Sequence, residues 1–367
     1  MKILIFIANL DGAGAQRTTI NLVNSWVNNS HIVHLVAGTS KANYPSYISL
    51  LDKKIHLVVM NKSKTRYCLF PLCKLIMELK PDILFAPSPE ASTVLFYASK
   101  FCFCRGLIVL RESNFRSYKD TNKTLRFYLS RYAYRNADKI IALSKGVKID
   151  LINRYRINEN KIFIVNNPVD LQYINNQQGK NNDLLNHIKN KKEGEFHIIS
   201  IGRLVEQKGY DLLIRAFSLL KIDNIYLTIL GEGRERESLE KLVNFLNITD
   251  KVFIQGYCDN PYVNLYHSDL FVLSSRWEGF GHVIVEAMAC ETPVIAFNCN
   301  SGPSEIIENN INGILCFPES INELSDAIKN IYENQHLKGL IVKNALKNMQ
   351  KYDHNKIANE YIKVFIC

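Results

Sequence analysis

Apolar residues along the chain form short runs that alternate with segments in which they recur every three to four positions. Runs rich in β-branched residues predict buried strands, and the longer spacing predicts amphipathic helices. Their regular alternation predicts βαβ units and parallel sheets. The expected fold class is therefore α/β.

The predicted strands fall into two series. Those of the first span 3–8, 31–37, 55–59, 83–86, 107–110, 139–143 and 161–165, with a helix at 18–27. Those of the second span 196–201, 226–230, 252–255, 270–273 and 294–297, with helices at 210–220, 235–246 and 283–290. This repetition predicts two tandem Rossmann-like domains, in which ligands bind beyond the carboxyl ends of the strands.

Composition sets the domain boundaries. Residues 171–195 are polar and rich in turn-forming residues, which predicts a linker. The N-terminal domain then covers 1–170 and the C-terminal domain 196–350. Residues 351–367 are predicted to form a C-terminal helix, for which a return to the N-terminal domain is one placement.

Charge is divided unevenly between the halves. Residues 1–180 hold 26 Lys and Arg against 11 Asp and Glu, whereas the net charge of the whole chain is +10. Between Lys100 and Lys161, 15 basic residues meet five acidic ones and are interleaved with aromatic rings. Such a surface suits an anionic membrane face. A nucleic-acid surface and an ordinary solvated helix face are the alternatives.

The sequence also argues against several other kinds of protein. The nine cysteines form no CxxC pair, which predicts free thiols. The first apolar run is short and lacks a cleavage site, so a strand is predicted there and not a signal peptide. The apolar window 94–110 is too interrupted by charge to span a membrane. No Asp-x-Asp sequence and no ligand-spaced cluster occurs, so no metal is expected.

The turn after the first strand contains Gly12 and Gly14. Because glycine has no Cβ, a ligand or another domain can approach this backbone closely. A dinucleotide fingerprint would need a glycine at the position of Arg17 and an acidic residue after the second strand. Both are missing, so NAD is not expected, and a merely tight turn is the alternative.

A second motif, Gly202-Arg203-Leu204 followed by Lys208-Gly209, comes directly after the strand at 196–201. Two cations at the carboxyl edge of a strand suit a diphosphate, because the guanidinium binds oxygen pairs with its planar fork and the ammonium acts as a point charge. A surface salt bridge is the alternative interpretation.

The strongest motif runs from Glu278 through Gly279, Phe280, Gly281 and His282 to Glu286, between a predicted strand and helix. The unpaired N–H groups at a helix start bind anions. A carboxylate on either side can accept hydrogen bonds from hydroxyls. A ligand that carries both phosphate and hydroxyl groups, such as a nucleotide sugar, fits this arrangement.

These residues resemble the signature of family 4 glycosyltransferases, which have the B-type glycosyltransferase fold and retain the anomeric configuration. The resemblance extends through residues 11–17, 142–145, 167–170, 230–233 and 301–305, and so covers nearly the whole chain. It implies two Rossmann-like domains with parallel sheets facing across a cleft, the acceptor on the first and the donor on the second.

The resemblance also assigns roles. Arg203 and Lys208 would hold the donor diphosphate, Glu278 would contact the sugar and Glu286 the ribose. The other expected substrate-binding residues of the second domain are Gly231, Gly233, Tyr257, Gly279, Phe280, Gly281, His282 and Glu305, and those of the first are Gly12 and Gly14. For His282, a structural role remains an alternative.

One departure from the family concerns residues 111–114. Many relatives carry a histidine near the reacting sugar, whereas this chain has Arg111-Glu112-Ser113-Asn114. The segment resembles those of relatives that transfer galactose-like or N-acetylhexosamine sugars in surface polysaccharide assembly. Arg111 and Asn114 are expected to bind substrate. Glu112 is expected to be an acceptor-binding or base residue, with a structural carboxylate as the alternative.

The resemblance implies a metal-independent transfer, with no cofactor, from a nucleotide sugar, UDP-linked in preference to GDP-linked. The acceptor would be a lipid-linked glycan of O-antigen, capsule or similar polysaccharide. We expect a cytoplasmic protein on the inner face of the membrane, with no nucleic-acid partner. An epimerase on the same scaffold and a non-catalytic nucleotide-sugar-binding protein are the alternatives.

Overall fold

The computed structural model describes residues 1–10, 14–39, 47–115, 124–179 and 185–367. The chain divides into two compact units. Unit 1 comprises Met1–Val169 and Tyr352–Cys367, and unit 2 comprises Asp170–Lys351. Each contains a parallel sheet with helices, which confirms the predicted α/β class with two Rossmann-like sheets.

The sheet of unit 1 has seven parallel strands in the order β3-β2-β1-β4-β5-β6-β7. They are β1 (Lys2–Asn9), β2 (Ile32–Thr39), β3 (His56–Val59), β4 (Ile83–Ala86), β5 (Leu107–Glu112), β6 (Lys139–Ala142) and β7 (Ile162–Ile164). Consecutive β1 residues such as Ile3, Leu4 and Ile5 are fully buried, because helices cover both faces of a parallel sheet.

Helices of unit 1 in the chain before Val169 are α1 (Gly14–Asn28), α2 (Leu69–Leu79), α3 (Pro89–Phe101), α4 (Leu125–Asn136) and α5 (Lys145–Tyr155). Hydroxyl caps start two of them: Thr124 Oγ1 accepts from Phe127 N and Ser144 Oγ from Val147 N. Helices α2 to α5 pack on one face of the sheet, and α1 packs on the other.

The sheet of unit 2 has six parallel strands in the order β10-β9-β8-β11-β12-β13. They are β8 (Phe196–Ile201), β9 (Ile225–Leu230), β10 (Val252–Gln255), β11 (Leu270–Leu273), β12 (Val294–Phe297) and β13 (Ile314–Cys316). Strand β13 is missing from the sequence prediction because its three residues are too few to show a period.

Nine helices are described in unit 2. They are α6 (Leu171–Gln178), α7 (Asn186–Lys189), α8 (Tyr210–Ser218), α9 (Arg236–Phe245), α10 (Pro261–Tyr266), α11 (His282–Ala289), α12 (Pro303–Ile306), α13 (Ile321–Glu333) and α14 (Gln335–Lys347). In the described ranges, no helix of either unit is long and apolar enough to cross a membrane.

Helices α6 and α7 occupy the segment for which the sequence predicts a linker. Asp170 caps α6 by accepting from Tyr173 N, and Gln178 Nε2 donates to the carbonyl of Ala289. Asn260 Nδ2 donates to the carbonyl of Gln177. The polar residues that suggest a linker therefore anchor α6 to unit 2.

The last helix, α15 (His354–Ile366), packs in unit 1. Trp26 of α1 is fully buried against it, and its Nε1 donates to the carbonyl of Ala358 at 3.1 Å. The rings of Phe85, Tyr361 and Phe365 lie 5.4 to 6.0 Å from that of Trp26. This aromatic cluster joins the C-terminal residues to the first helix and to β4.

We predict that Trp26→Ala lowers the free energy of unfolding of unit 1 by about 3–5 kcal/mol, since it leaves a large cavity in this cluster. Trp26→Phe keeps most of the ring contact and loses one hydrogen bond, so a smaller decrease of about 1–2 kcal/mol is expected. Urea unfolding, followed by far-UV circular dichroism so that the signal does not depend on the replaced tryptophan, measures the free energy of unfolding of both variants. Equal stability of wild type and Trp26→Ala would contradict the packing described.

Candidate functional site

The sheet order of unit 2 reverses between β8 and β11, which are neighbours although three helices and two strands separate them in sequence. Such a reversal opens a crevice beyond the carboxyl ends of the two strands, where ligands bind in α/β sheets. The loop 202–209 follows β8 and the loop 274–281 follows β11. The second and third sequence motifs therefore meet at one end of one sheet.

Lys208 and Glu278 form an ion pair across these loops. Lys208 Nζ lies 2.6 Å from Glu278 Oε1, and the two side chains are 16% and 9% exposed. Ser275 Oγ donates to the same carboxylate oxygen at 2.7 Å. The attraction between the two charges is stronger in a surrounding of low polarity than in water, and losing one partner would leave the other charge buried alone. The cation is thus positioned before any ligand binds.

Burial and the charge of Glu278 also affect the thiol of Cys299. Burial first, and then the charge of Glu278, raise the pKa of Cys299 to about 12. The thiol is 2% exposed, and burial favours its neutral form.

Main-chain contacts fix the loop that carries Lys208. Ser274 Oγ donates to the carbonyl of Lys208 at 2.9 Å. Gln207 Nε2 donates to the carbonyl of Trp277 at 2.9 Å, and Arg276 N donates to the carbonyl of Gln207 at 2.8 Å. Hydrogen bonds therefore connect the two loops on both sides of the ion pair.

Arg276 is a clamp behind this loop. Its guanidinium binds both carboxylate oxygens of Asp211 at 2.7 and 2.9 Å, donates to the carbonyl of Glu206 at 2.9 Å, and lies 3.4 Å from Glu319. Burial would raise the pKa of Asp211, but the hydrogen bonds and charge of Arg276 outweigh burial and lower it. The same hydrogen bonds raise the pKa of Arg276.

Arg203 lies on the same loop, and its side chain is exposed to solvent. Behind it the backbones of two loops touch. A Cβ at Gly231 would overlap the carbonyl oxygen of Gly202, and a Cβ at Gly233 would overlap that of Leu204. Glycine at 231 and 233 is therefore required for this close approach.

The start of α11 is enclosed by the segment after β12. Gly281, with φ 86°, precedes the helix, and Ser301 Oγ donates to the carbonyl of Gly279 at 3.1 Å. Gly302 has φ 95°, and a Cβ there would overlap the carbonyl of Phe280. Phe280 is 3% exposed. The helix start is thus shaped from two sides, and within its first turn Ile284 N donates to the carbonyl of Gly281 at 2.9 Å.

Glu286, one turn into α11, accepts a hydrogen bond from Tyr262 Oη at 2.8 Å. His282 Nε2 lies 3.6 Å from the same carboxylate oxygen. Burial, and then the charge of Glu286, raise the pKa of Cys290. His282 thus lies beside Glu286, and its contact with substrate stays a prediction.

The remaining predicted residues of unit 2 lie around these loops. Tyr257 is 42% exposed and follows Gly256, where a Cβ would lie 3.1 Å from Glu232 Oε1. Glu305 lies in α12, and its N–H donates to the carbonyl of Gly302. The contact of either residue with substrate stays a prediction.

In unit 1, Arg111 and Glu112 are the last residues of β5, paired with Ile141 and Ala142 of β6. The prediction that they follow the strand is wrong, because the parallel ladder with β6 continues through both. Arg111 is 1% exposed, and its guanidinium donates to the carbonyl of Pro87 and to Tyr361 Oη. This burial argues against the predicted contact of Arg111 with substrate.

Glu112 is fully buried at the carboxyl end of β5. Its Oε1 accepts from the backbone N–H groups of Ser113 and Asn114, both at 3.1 Å. The carboxylate therefore shapes the chain as it leaves the strand, as the structural alternative expects, and a role of Glu112 as an acceptor-binding or base residue stays a prediction. The side chain of Asn114 is exposed, and its contact with substrate stays a prediction.

The glycine turn of unit 1 is only partly described. Gly12 lies outside the described residues, whereas Gly14 is the first residue of α1. Before the turn, Asn9 Oδ1 accepts from Gln16 Nε2 at 2.6 Å. This turn follows β1, whose neighbour β4 marks the reversal of strand order in the sheet of unit 1.

Several residues of the site lack a sequence signal that would have found them. Ser275 and Arg276 stand inside the segment before Glu278, and Asp211 stands just after Lys208, but only the fold brings them together. Tyr262 is 24 residues away from its partner Glu286. All nine cysteines are free, as the sequence predicts.

Two family models match the chain and together span nearly all of it. Glycosyltransferase Family 4 matches residues 12–173, and Glycosyl transferases group 1 matches residues 182–352. An uncharacterized glycosyltransferase of Haemophilus influenzae is 30% identical over 92% of this chain and 92% of its own length. The chain belongs to the family 4 glycosyltransferases.

Two further relatives of this glycosyltransferase differ in how much of their length they share with it. An uncharacterized glycosyltransferase of Methanocaldococcus jannaschii is 33% identical over 68% of this chain and 64% of its own. The N-acetylgalactosamine-N,N'-diacetylbacillosaminyl-diphospho-undecaprenol 4-alpha-N-acetylgalactosaminyltransferase of Campylobacter jejuni is 27% identical over 100% of this chain and 99% of its own.

Among solved structures, the glycosyltransferase resembles Anabaena HepE in complex with UDP-glucose. The TM-score is 0.83 and the sequence identity is 21%, with 100% of this chain and 99% of that chain covered. This likeness confirms the predicted B-type fold of tandem Rossmann-like sheets. In the described part of the glycosyltransferase, no group of three or more His, Cys, Asp or Glu residues could hold a metal ion.

We predict that Gly231→Ala disrupts the loop contact of the glycosyltransferase and lowers its donor affinity at least tenfold, because the new Cβ would push the 202–204 backbone aside. Gly339→Ala is the matched control. Gly339 lies in α14 with open space around it, so alanine should leave affinity unchanged and raise stability slightly. Calorimetric titration with UDP measures both, and equal affinities in the two variants would contradict the argument.

We predict that Arg276→Ala lowers kcat/KM by about tenfold or more, since the loop that carries Lys208 loses its clamp. Arg276 is a positioning residue, so Arg276→Lys, which cannot bind Asp211 with a planar fork, should recover activity only in part. Arg215→Ala on α8, where the side chain is exposed, is the control. Loss of thermal stability without any change in kcat/KM would show that Arg276 has only a folding role.

Proposed function

We propose that this chain is a retaining glycosyltransferase that moves a hexose or an N-acetylhexosamine from a UDP-sugar to a lipid-linked glycan. The observation that carries the proposal is the Lys208–Glu278 ion pair at the carboxyl ends of β8 and β11, on the loop that also presents Arg203. A cation fixed by a carboxylate beside a helix start suits a ligand with a diphosphate and a sugar.

In this proposal the two cations bind the diphosphate. One proton of the Lys208 ammonium is directed to Glu278, which leaves its other protons for phosphate oxygens. The exposed guanidinium of Arg203 can bind two oxygens at once. Together with the N–H groups at the start of α11, they stabilise the negative charge that develops on the leaving UDP, so a metal ion is not required.

The two carboxylates recognise the hydroxyl groups of the donor. Oε1 of Glu278 accepts from Lys208 and Ser275, so Oε2 is left for a sugar hydroxyl. Glu286 accepts from Tyr262 and is assigned to the ribose. We propose retention by attack on the same face of the sugar, with a leaving phosphate oxygen taking the acceptor proton.

The substrate classes rest on the relatives. The name of the Campylobacter jejuni relative describes transfer of N-acetylgalactosamine to a glycan on diphospho-undecaprenol. The HepE structure contains UDP-glucose. From these we propose a UDP-linked donor, a polyprenyl-diphosphate acceptor in polysaccharide or lipopolysaccharide assembly, and action at the cytoplasmic face of the membrane.

We predict that Lys208→Met and Glu278→Gln each lower kcat/KM for the active UDP-sugar by about 100- to 1000-fold. Lys343→Met, an exposed cation of α14, should leave kcat/KM unchanged. A panel of UDP-hexoses and UDP-N-acetylhexosamines, with undecaprenyl-diphosphate glycans as acceptors, identifies the substrates by mass spectrometry. NMR of the product gives the anomeric configuration.

Folding is separated from function by the double variant Lys208→Met/Glu278→Gln. Removing one partner leaves an unpaired charge in a site of low polarity, whereas removing both does not. The double variant should therefore be more stable than either single variant and still inactive. An inverted product, an isomerised donor without acceptor, or full activity of Lys208→Met would each overturn the proposal.

A further inference from the structure

The outward side of helices α2, α3 and α4 exposes many large apolar side chains. Phe103, just after α3, is 90% exposed, and Phe70 at the start of α2 is 77% exposed. We call this surface the helical face; its exposed apolar members are Phe70, Met77, Phe101, Phe103, Leu125, Tyr128, Leu129 and Tyr132. Clusters of this kind on a soluble protein mark sites of interaction.

The members of the helical face are continuous across the three helices. Met77 of α2 and Phe103 line one cavity of about 670 Å³. On the other side, the rings of Tyr97 and Tyr132 stack at 6.4 Å, and Tyr97 Oη donates to the carbonyl of Leu129. Helix α3 thus packs between α2 and α4 and joins their exposed residues.

Basic side chains border these apolar groups. Lys80 and Arg105 line the same cavity as Phe103, Lys100 lies 5.5 Å above the ring of Phe96, and Arg135 is at the end of α4. Over the described ranges, none of these four cations forms an ion pair. Three carboxylates lie nearby: Glu90 is bound to Arg126, Glu78 lies 3.9 Å from Lys74, and Asp82, which lines the cavity, accepts from Lys2 N. The helical face is therefore apolar with a net positive border.

We propose that the helical face binds the surface of an anionic lipid bilayer, with its aromatic rings at the boundary of headgroups and acyl chains. Aromatic side chains favour this boundary, and cations nearby are attracted to anionic headgroups. A second copy fits less well, because a twofold contact would bring the same cations of both copies together. The proposal deepens the membrane partner of the proposed function, but lipid binding is measured without donor or acceptor.

The test is flotation of the full chain with two kinds of vesicle, phosphatidylcholine alone and phosphatidylcholine with phosphatidylglycerol. We expect binding to the anionic vesicles only, and weaker binding as salt rises. Lys100→Ser/Arg105→Ser should weaken binding about 30-fold, from the attraction of two cations. Phe101→Ser/Phe103→Ser should weaken it at low and high salt alike.

Matched controls come from unit 2. Phe245 and Phe317 are 79% and 75% exposed, and Lys343 and Lys347 are exposed cations of α14. Phe245→Ser/Phe317→Ser and Lys343→Ser/Lys347→Ser should bind vesicles as the wild type does. Equal flotation with neutral vesicles, or an equal loss in the control variants, would overturn the proposal. So would light scattering that shows a dimer which only the helical-face variants dissociate. Turnover of a soluble acceptor by a chain that ignores lipid would overturn this inference and leave the proposed function intact.

Discussion

The ion pair between Lys208 and Glu278 is the contact on which the arrangement of the candidate site depends. Taking two charges out of water costs several kcal/mol for each ion, so the pair persists only if its geometry is good and further hydrogen bonds support it. Ser275 supplies one such bond, and the Arg276–Asp211 pair holds the loop behind it. The loops after β8 and β11 are thereby held against each other.

The fold could be predicted from the sequence wherever the hydrophobic and polar pattern within a single strand or helix is enough to define that element. Strands β8, β10, β11 and β12 have the bounds that the sequence predicts, because each is a mainly apolar run between polar or glycine-containing turns. The prediction failed where pairing with an adjacent strand determines whether a residue belongs to the sheet. The strand β13 depends on its ladder with β12, and Arg111 is drawn into β5 by its ladder with β6.

The candidate site divides in the same way. Lys208, Glu278 and the glycines at 231 and 233 are recognisable because the chemistry of a charge or the absence of a Cβ is a property of one residue. The supports of that chemistry are not, since Asp211 and Tyr262 gain their partners only through the sheet order. A buried arginine such as Arg111 misleads for the same reason: its two acceptors lie 24 and 250 residues away.

The return of α15 to unit 1 has a consequence for synthesis. Unit 2 is contiguous in the chain, so all its residues are translated before those of α15. Unit 1 is not yet complete at that point, because Trp26 and Phe85 are covered by residues of α15, which follow unit 2 in the chain. The order of maturation is thus reversed relative to the order of translation. A nascent chain stalled before residue 354 would display an uncovered aromatic surface to chaperones.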